Sequence, residues 1–360
     1  MMDSPKILVI NPGSTSTKIA VFQNEECLFE HNIRHFLDEL VHYPTIISQY
    51  EFRLDLIIGN LEMAGFNLAD IGIVMGRGGL TYPLESGVYE VDDRMLTHVR
   101  KGVMGQHASN LGPLLSHAIA KKIPGAKAYI ADPVVTDELE PVARVSGHPR
   151  FERRSIYHAL NQKAVGRLYA QSVSKKYSEV NLIVVHMGGG VSIGAHHKGR
   201  VVDVNNALDG EGPFSPERSG TLPAGQLIDA CYCGNFTEDE VRRMVTGEGG
   251  MVAYLNTNSM KEIADFAEEG DEEYQFYIEA FVYQVAKAVG EMATVLKGDV
   301  AAILFTGGIA NNPSIVASIK ERVGFIAPVE IFAGEDEMAS MAMNARLMLA
   351  GELIPKKYPH

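Results

Sequence analysis

The stretch ILVINPGSTSTKIAVF, Ile7 to Phe22, decides how the rest of the chain is read. Ile7 to Ile10 predict a strand, Lys18 to Phe22 a return strand, and the residues between them a tight turn. Asn11, Gly13, Ser14, Thr15, Ser16 and Thr17 crowd that turn with hydroxyls around a glycine. Backbone N–H groups and hydroxyls in such a turn can donate to a phosphate, and Lys18 adds a positive charge at its exit. The same residue types also build ordinary hairpins, so one copy leaves both readings open.

A second copy breaks the tie. LIVVHMGGGVSIGAHHKGRVVD, Leu182 to Asp203, repeats the layout of apolar strand, turn and return strand. Aligning Ile7 with Leu182 (182 − 7 = 175) sets Gly13 on Gly188, Ser14 on Gly189 and Thr15 on Gly190. The offset is close to half the chain. This predicts an internally duplicated α/β protein that grips a nucleotide between its halves.

With 360 residues, two domains with good cores are expected. The net charge of −13 argues against nucleic acid or an anionic membrane as partner, so basic residues inside motifs become the ones to follow. Cys27, Cys231 and Cys233 form no CxxC and have no histidine cluster, which favours buried thiols over zinc and fits a reducing cytoplasm. MMDSPK leads straight into a strand, so no signal peptide is expected, and no apolar run approaches the roughly 20 residues of a membrane span.

Along the chain, Cys27 to Arg34 extends the first sheet. Tyr43 to Ala64 has helical spacing, and Ile71 to Leu80 reads as a strand breaking into a glycine turn that carries Arg77. Strand ends are where open α/β sheets place ligands, which favours a functional Arg77 over a surface one; the same argument singles out Asp132, at the end of strand Ala128 to Ala131. His107 precedes a helix starting near Ser109. A long helix capped near Ser155 should hold His158 in its first turn, with Arg153 and Arg154 just ahead to attract anions. The loop from Asp209 to Asp229 reads as functional, with Arg218 as its charged tip. Asp271 to Leu296 is a long helix whose aromatic and methionine stripe is core. Strand Ala301 to Phe305 runs into Thr306, Gly307 and Gly308, a join that fits close approach of a nucleoside. A last helix runs from Glu335 to Ala350.

Taken in order, VINPGSTSTK, GRGGL, QHASNLGP, Asp132, RRSIYH, HMGGGVSIG, DGEGPFSPERSG, FTGGIANNP and GEDEM span nearly the whole chain, and as an ordered set it resembles the acetokinase family. The resemblance implies duplicated actin-like, ribonuclease H-like domains: mixed five-stranded sheets flanked by helices, with a cleft between the halves. The expected division is residues 1–152 plus 335–360 against 153–334. It implies phosphoryl transfer between ATP and a short-chain carboxylic acid, butanoate foremost, with ADP and the acyl phosphate as products, Mg²⁺ as cofactor, and a cytoplasmic homo-oligomer built from dimers. Carried over by position, the resemblance implies that Arg77 and Arg218 bind the acid and the moving phosphoryl group, that His158 bonds its oxygens and that His107 supports them; it also implies the roles that follow. Asp132 orients the metal or an arginine. Asn11, Ser14, Ser16, Lys18, His186, Gly188, Gly189 and Gly190 belong to the phosphates; Gly307, Gly308, Ile309 and Asn311 belong to the adenosine. Gly79, Gln106 and Tyr157 line the acid's pocket. Either Glu335 or Glu337 fits the metal-side acid.

A carboxylic acid with a pKa of about 4 to 5 is already ionised at neutral pH. It needs no general base, only relief from anion–anion repulsion and alignment for in-line attack, so Asp132 should position rather than deprotonate. Acetate-acting members carry Arg-Val-Val-His where this chain has Arg77, Gly78, Gly79 and Leu80. The glycines suggest room for a longer acid tail at roughly 0.8 kcal/mol per buried methylene. Rival readings are a kinase for acetate, propanoate or branched acids, or a non-catalytic ATP-dependent clamp. A dinucleotide oxidoreductase is weaker, because no GxGxxG joins a strand to a helix in the first half.

Overall fold

The computed structural model describes residues 4–360; the first three residues of MMDSPK lie outside the described residues. The chain forms two compact units: residues up to Thr136 together with Asp336–His360, and Asp137–Glu335.

In the first unit the strands are β1 (Lys6–Pro12), β2 (Ser16–Gln23), β3 (Glu26–Arg34), β4 (Ile71–Arg77), β5 (Val88–Glu90) and β6 (Lys127–Ala131), in the order β3-β2-β1-β4-β6-β5. The first three form an antiparallel meander, and β4 and β6 continue it in parallel. Ile7, Leu8, Val9 and Ile10 are all buried, because β1 is covered on both faces and its sequence is a continuous apolar run. The helices are α1 (Leu37–Leu40), α2 (Tyr50–Met63), α3 (Asp93–Lys101), α4 (Leu111–Lys121) and, from the end of the chain, α12 (Glu337–Leu349). Backbone packs on backbone where α4 crosses β4. A Cβ on Gly76 would lie 2.4 Å from the Gly112 oxygen, and one on Gly112 would lie 2.0 Å from that of Arg77. That contact sets the height at which β4 ends, and so places Arg77.

In the second unit β7 (Asn181–Met187), β8 (Val191–His197), β9 (Arg200–Val204), β10 (Ala302–Gly307) and β11 (Val329–Ala333) lie in the order β11-β10-β7-β8-β9. Leaving out β5, this is the strand order of the first unit: a meander, then two parallel strands beside its first member. The offset of 175 holds residue for residue, since Lys6 opens β1 and Asn181 opens β7, and Ser16 opens β2 and Val191 opens β8. The helices are α5 (Ala159–Ser172), α6 (Ala224–Tyr232), α7 (Glu238–Val245), α8 (Met251–Leu255), α9 (Met260–Glu268), α10 (Glu272–Val295) and α11 (Pro313–Val323). As expected, the stripe of α10 is core: Phe281, Val285, Val289 and Met292 pack on the sheet residues Ile183, Val185 and Phe305.

Several expectations need correction. The first sheet has six strands, because Val88–Glu90 adds an antiparallel edge to β6. The second unit starts at Asp137 rather than at residue 153. Glu138 takes a hydrogen bond from Val201 N (2.9 Å) and an ion pair from Lys163, and Glu140 N donates to Val202 O (3.0 Å), so this segment is stitched into the second sheet. The helix expected from Tyr43 starts at Tyr50. Thr45 and Ser48 bond each other's backbone N–H groups instead, at 3.2 Å each, offering the chain a turn in place of a helix. The helix expected from Ser155 starts at Ala159, because Arg153 holds the preceding segment extended through Asp203, the Ala143 and Val204 oxygens and Glu211. The last helix starts at Glu337, capped by Asp336, whose Oδ1 accepts from Ala339 N at 2.8 Å. All three cysteines are exposed, not buried. No helix among the described residues is long and apolar enough to cross a membrane.

Candidate functional site

In the first unit the turn after β1 places its carbonyls inward. Thr15 O accepts from His35 N (2.9 Å), Ser16 O from Gly13 N (2.8 Å), and the oxygens of Gly13, Ser14 and Ser16 accept from Arg53. The amides of Ser14 and Thr15 make no hydrogen bond among the described residues, and both residues are exposed. The two amides thus form a small cup of backbone donors facing away from Arg53. The Nζ of Lys18 sits 2.8 Å from Glu30 Oε1 on the neighbouring strand.

Beside the cup, Glu337 bridges two expected site residues. One carboxylate oxygen pairs with the Arg77 guanidinium and the other accepts from the Asn11 amide, so α12 delivers its first residue onto the ends of β1 and β4. The Nδ1 of His107 accepts from Ser109 N (3.2 Å), which leaves the ring's proton on Nε2. Burial, then the neighbouring Arg77, holds its pKa below the ordinary histidine value, against an opposing effect of Glu337. Asp132, 1% exposed, accepts through Oδ1 from Ser86 Oγ (2.7 Å) and Gly87 N (2.8 Å); it pins the turn between β4 and β5.

The glycines after Arg77 are explained by packing. A Cβ on Gly78 would lie 2.5 Å from Pro133 Cβ, and one on Gly79 would lie 2.8 Å from Asn110 Cα. The space beside them is filled by protein, which corrects the expectation that they open room for an acid tail. Gln106, expected in that pocket, instead turns its amide back toward α3, 3.5 Å from Arg100 O.

In the second unit His158 stands immediately before α5, and its ring stacks on that of His186 with centroids 3.7 Å apart and planes 13° from parallel. Gln162 Nε2 donates to Ser192 O (3.0 Å) and Ser192 Oγ (2.8 Å), so its Oε1 accepts from His196 Nε2 (2.9 Å). The Ser192 hydroxyl, already accepting from Gln162, directs its hydrogen to His158 Nδ1 at 2.8 Å. A neutral His158 therefore carries its proton on Nε2 and presents a donor there. Burial, then Lys163 and Arg167, keeps the pKa of His196 well below the usual range, so that ring stays neutral. His186 meets Asn161 Oδ1 at 2.8 Å through Nδ1, and Glu335 Oε2 at 3.7 Å through Nε2.

Arg218 is not the tip of its loop. It folds inward, donates to Ala207 O (2.7 Å), and lies so close to the second turn that a Cβ on Gly190 would meet its Nη1 at 1.9 Å. Burial lowers its pKa, with Glu217 opposing, and its Nε has no hydrogen-bond partner among the described residues. Gly188 N bonds Gly190 O (3.0 Å), and the Gly189 oxygen accepts from Ser215 (2.7 Å).

At the third glycine join the pair divides. Gly307 has φ +86° and a Cβ there would lie 2.3 Å from Met187 O, so the sheet itself requires glycine. Gly308 has nothing within 4 Å of such a Cβ. Asn311 donates to Gly308 O (3.0 Å). Two expected side chains are core instead: Ile309, 6% exposed, joins the main cluster of the second unit, and Tyr157, 2% exposed, packs on Leu139, Val201 and Val204. Arg53, Gln162 and Ser192 were not anticipated.

The model of the acetokinase family matches residues 150–331. A chain named probable butyrate kinase, from Clostridium botulinum strain Eklund 17B, is 50% identical over 355 residues, 99% of this chain and 100% of its own. The chain belongs to the acetokinase family. Butyrate kinase 1 of Clostridium acetobutylicum is likewise 50% identical, over 98% of this chain and 99% of its own. The crystal structure of Porphyromonas gingivalis acetate kinase superposes with a TM-score of 0.79 over 96% of this chain and 100% of that one, at 17% identity. The acetokinase fold thus extends over both units, including the first unit, all of which lies outside the family model's match.

Proposed function

We propose that this acetokinase family member transfers a phosphoryl group reversibly between ATP and the carboxylate of a short-chain fatty acid, butanoate + ATP ⇌ butanoyl phosphate + ADP. The observation that carries the reading is the 50% identity, end to end, with relatives named butyrate kinase. The side chains described above supply what the chemistry requires. Butanoate arrives ionised, so what opposes reaction is repulsion between anions and loss of alignment.

Arg77 and Arg218 are the groups assigned to that repulsion, each a planar fork suited to carboxylate or phosphoryl oxygens. Binding an anion at Arg77 means exchanging Glu337 for it. His158, fixed as an Nε2–H donor by Ser192 and Gln162, is assigned to the phosphoryl oxygens, where it needs no protonation change. Asp132 holds the Ser86–Gly87 turn and is given no base role. The amides of Ser14 and Thr15 and the turn Gly188–Gly190 are assigned to the nucleotide's phosphates, and Gly308 with Asn311 to its nucleoside.

Mg²⁺ is expected of the family. No cluster of three acidic, histidine or cysteine side chains gathers among the described residues. A carboxylate at Glu335 or at Glu337 nevertheless suits a hard cation that takes one protein ligand and completes its shell with phosphate and water. When bound, the ion neutralises charge on the phosphates. On the family likeness, we propose a cytoplasmic homo-oligomer built from dimers.

Trapping acyl phosphate with hydroxylamine tests the reading. ATP, Mg²⁺ and butanoate should give butanoyl hydroxamate, with kcat/KM across acetate, propanoate, butanoate and branched acids peaking at butanoate. Absence of hydroxamate with every acid would refute it.

A further inference from the structure

The first phosphate turn is built round a cation that the proposed chemistry leaves unused. Arg53, on α2, is 0% exposed. Its Nη1 donates to Gly13 O (2.8 Å), Ser16 O (2.9 Å) and Thr17 Oγ1 (3.0 Å). Nη2 donates to Ser14 O (3.0 Å) and Gln49 Oε1 (2.7 Å), and Nε to the same Gln49 oxygen (3.1 Å). Every acceptor is neutral. Among the described residues no carboxylate pairs with this guanidinium, whereas buried charges are ordinarily paired.

The peptide geometry turns this into a device. In a trans peptide the carbonyl of one residue and the N–H of the next point in opposite directions. Drawing the Gly13 and Ser14 carbonyls onto the guanidinium therefore faces the Ser14 and Thr15 N–H groups away from it, and these are the two amides without an acceptor. One side chain aims the donors and also leaves a net positive charge behind them. The charge is felt nearby: burial and then Arg53 push the pKa of His35, bonded to Thr17 Oγ1 at 2.9 Å, down to about 4.

We infer that Arg53 is a positioning residue for the nucleotide's phosphates, a buried counter-charge that orients the amides of Ser14 and Thr15 and awaits an anion in front of them. This rests on reading the turn as a phosphate site. It also reassigns the role expected of Lys18, which Glu30 already holds.

The decisive variant is Gln49→Glu. It keeps an acceptor for both Arg53 donors but sets a carboxylate against the guanidinium, cancelling the charge while leaving the scaffold's hydrogen bonds in place. Titration calorimetry with ADP and with adenosine should show ADP affinity falling roughly tenfold, the effect of one unit charge several ångströms away at intermediate dielectric, with adenosine affinity, the butanoate KM and thermal stability unchanged or improved. Arg53→Met should lose ADP affinity further. If it does not fold, Gln49→Glu decides alone, since a purely structural Arg53 predicts wild-type ADP binding in that variant. Wild-type affinity for ADP in Gln49→Glu overturns the inference by itself. A wild-type enzyme that binds adenosine as tightly as ADP overturns the phosphate assignment beneath it.

Discussion

Acid should loosen the first unit through His35. The side chain is 4% exposed, accepts from Thr17 at 2.9 Å and faces Arg53, and its pKa falls from 6.5 to about 4. The folded form therefore keeps the ring neutral where the unfolded chain takes up a proton. The sign follows directly: this contribution to stability is complete above pH 6.5 and is lost as pH falls toward about 4. At pH 5 the loss spans about 1.5 pH units at 1.36 kcal/mol each, so about 2 kcal/mol; at pH 7 it is close to nil. His35→Gln removes the titration and retains an acceptor for Thr17. Native-state hydrogen exchange at the buried amides of β1 and β2 reports the opening free energy of this unit alone, which a whole-chain melt would blend with the other. Between pH 7 and pH 5 the wild type should lose about 2 kcal/mol more than His35→Gln. Equal losses in the two proteins would refute the reasoning and imply that the ring is protonated, or already reached by solvent, in the folded state.

Gly307→Ala should destabilise the second unit by about 2 kcal/mol or more, from positive φ and the clash with Met187, whereas Gly308→Ala should melt normally and raise the KM for ATP; paired melting and kinetic measurements separate them. Gly79→Val should cost about 1 to 3 kcal/mol by pressing on Asn110, lowering the melting temperature without moving the preference among acids. Lys163→Met strands Glu138 in a site where the pair is 0% and 7% exposed, a loss of about 3 to 5 kcal/mol in urea titration, much of which Glu138→Leu in the same chain should restore.

The duplication was legible because both hairpins are buried strands joined by turns of fixed length, so apolar runs and turn residues recur without a gap. Arg77 and Asp132 were legible as strand-end residues. What escaped notice depended on contacts remote in sequence. Arg53 stands on the apolar face of α2, three residues after Tyr50 and four before Ile57, and a charge in that stripe was the available signal. Ser192 aligns with Thr17 under the offset of 175, so the repeat itself marked two hydroxyls beneath the two turns. The pairing of Lys18 was not legible, because only the register with β3 brings Glu30 beside it. Tyr157 and Ile309 lie beside site residues in the sequence, but the neighbouring strands take their side chains into the core. Gly78 and Gly79 misled in the opposite way, since an absent side chain looks like space until Pro133 and Asn110 are seen to fill it.

That last feature bears on how acid preference can be retuned. A library varied at positions 78 and 79 would chiefly collect destabilised clones, because main chain there rests on a proline ring and on Asn110, the residue before α4. Selection for longer or bulkier acids has to act on walls whose side chains end in solvent, and the pair of glycines is better treated as a hinge pin of the scaffold than as a dial for size.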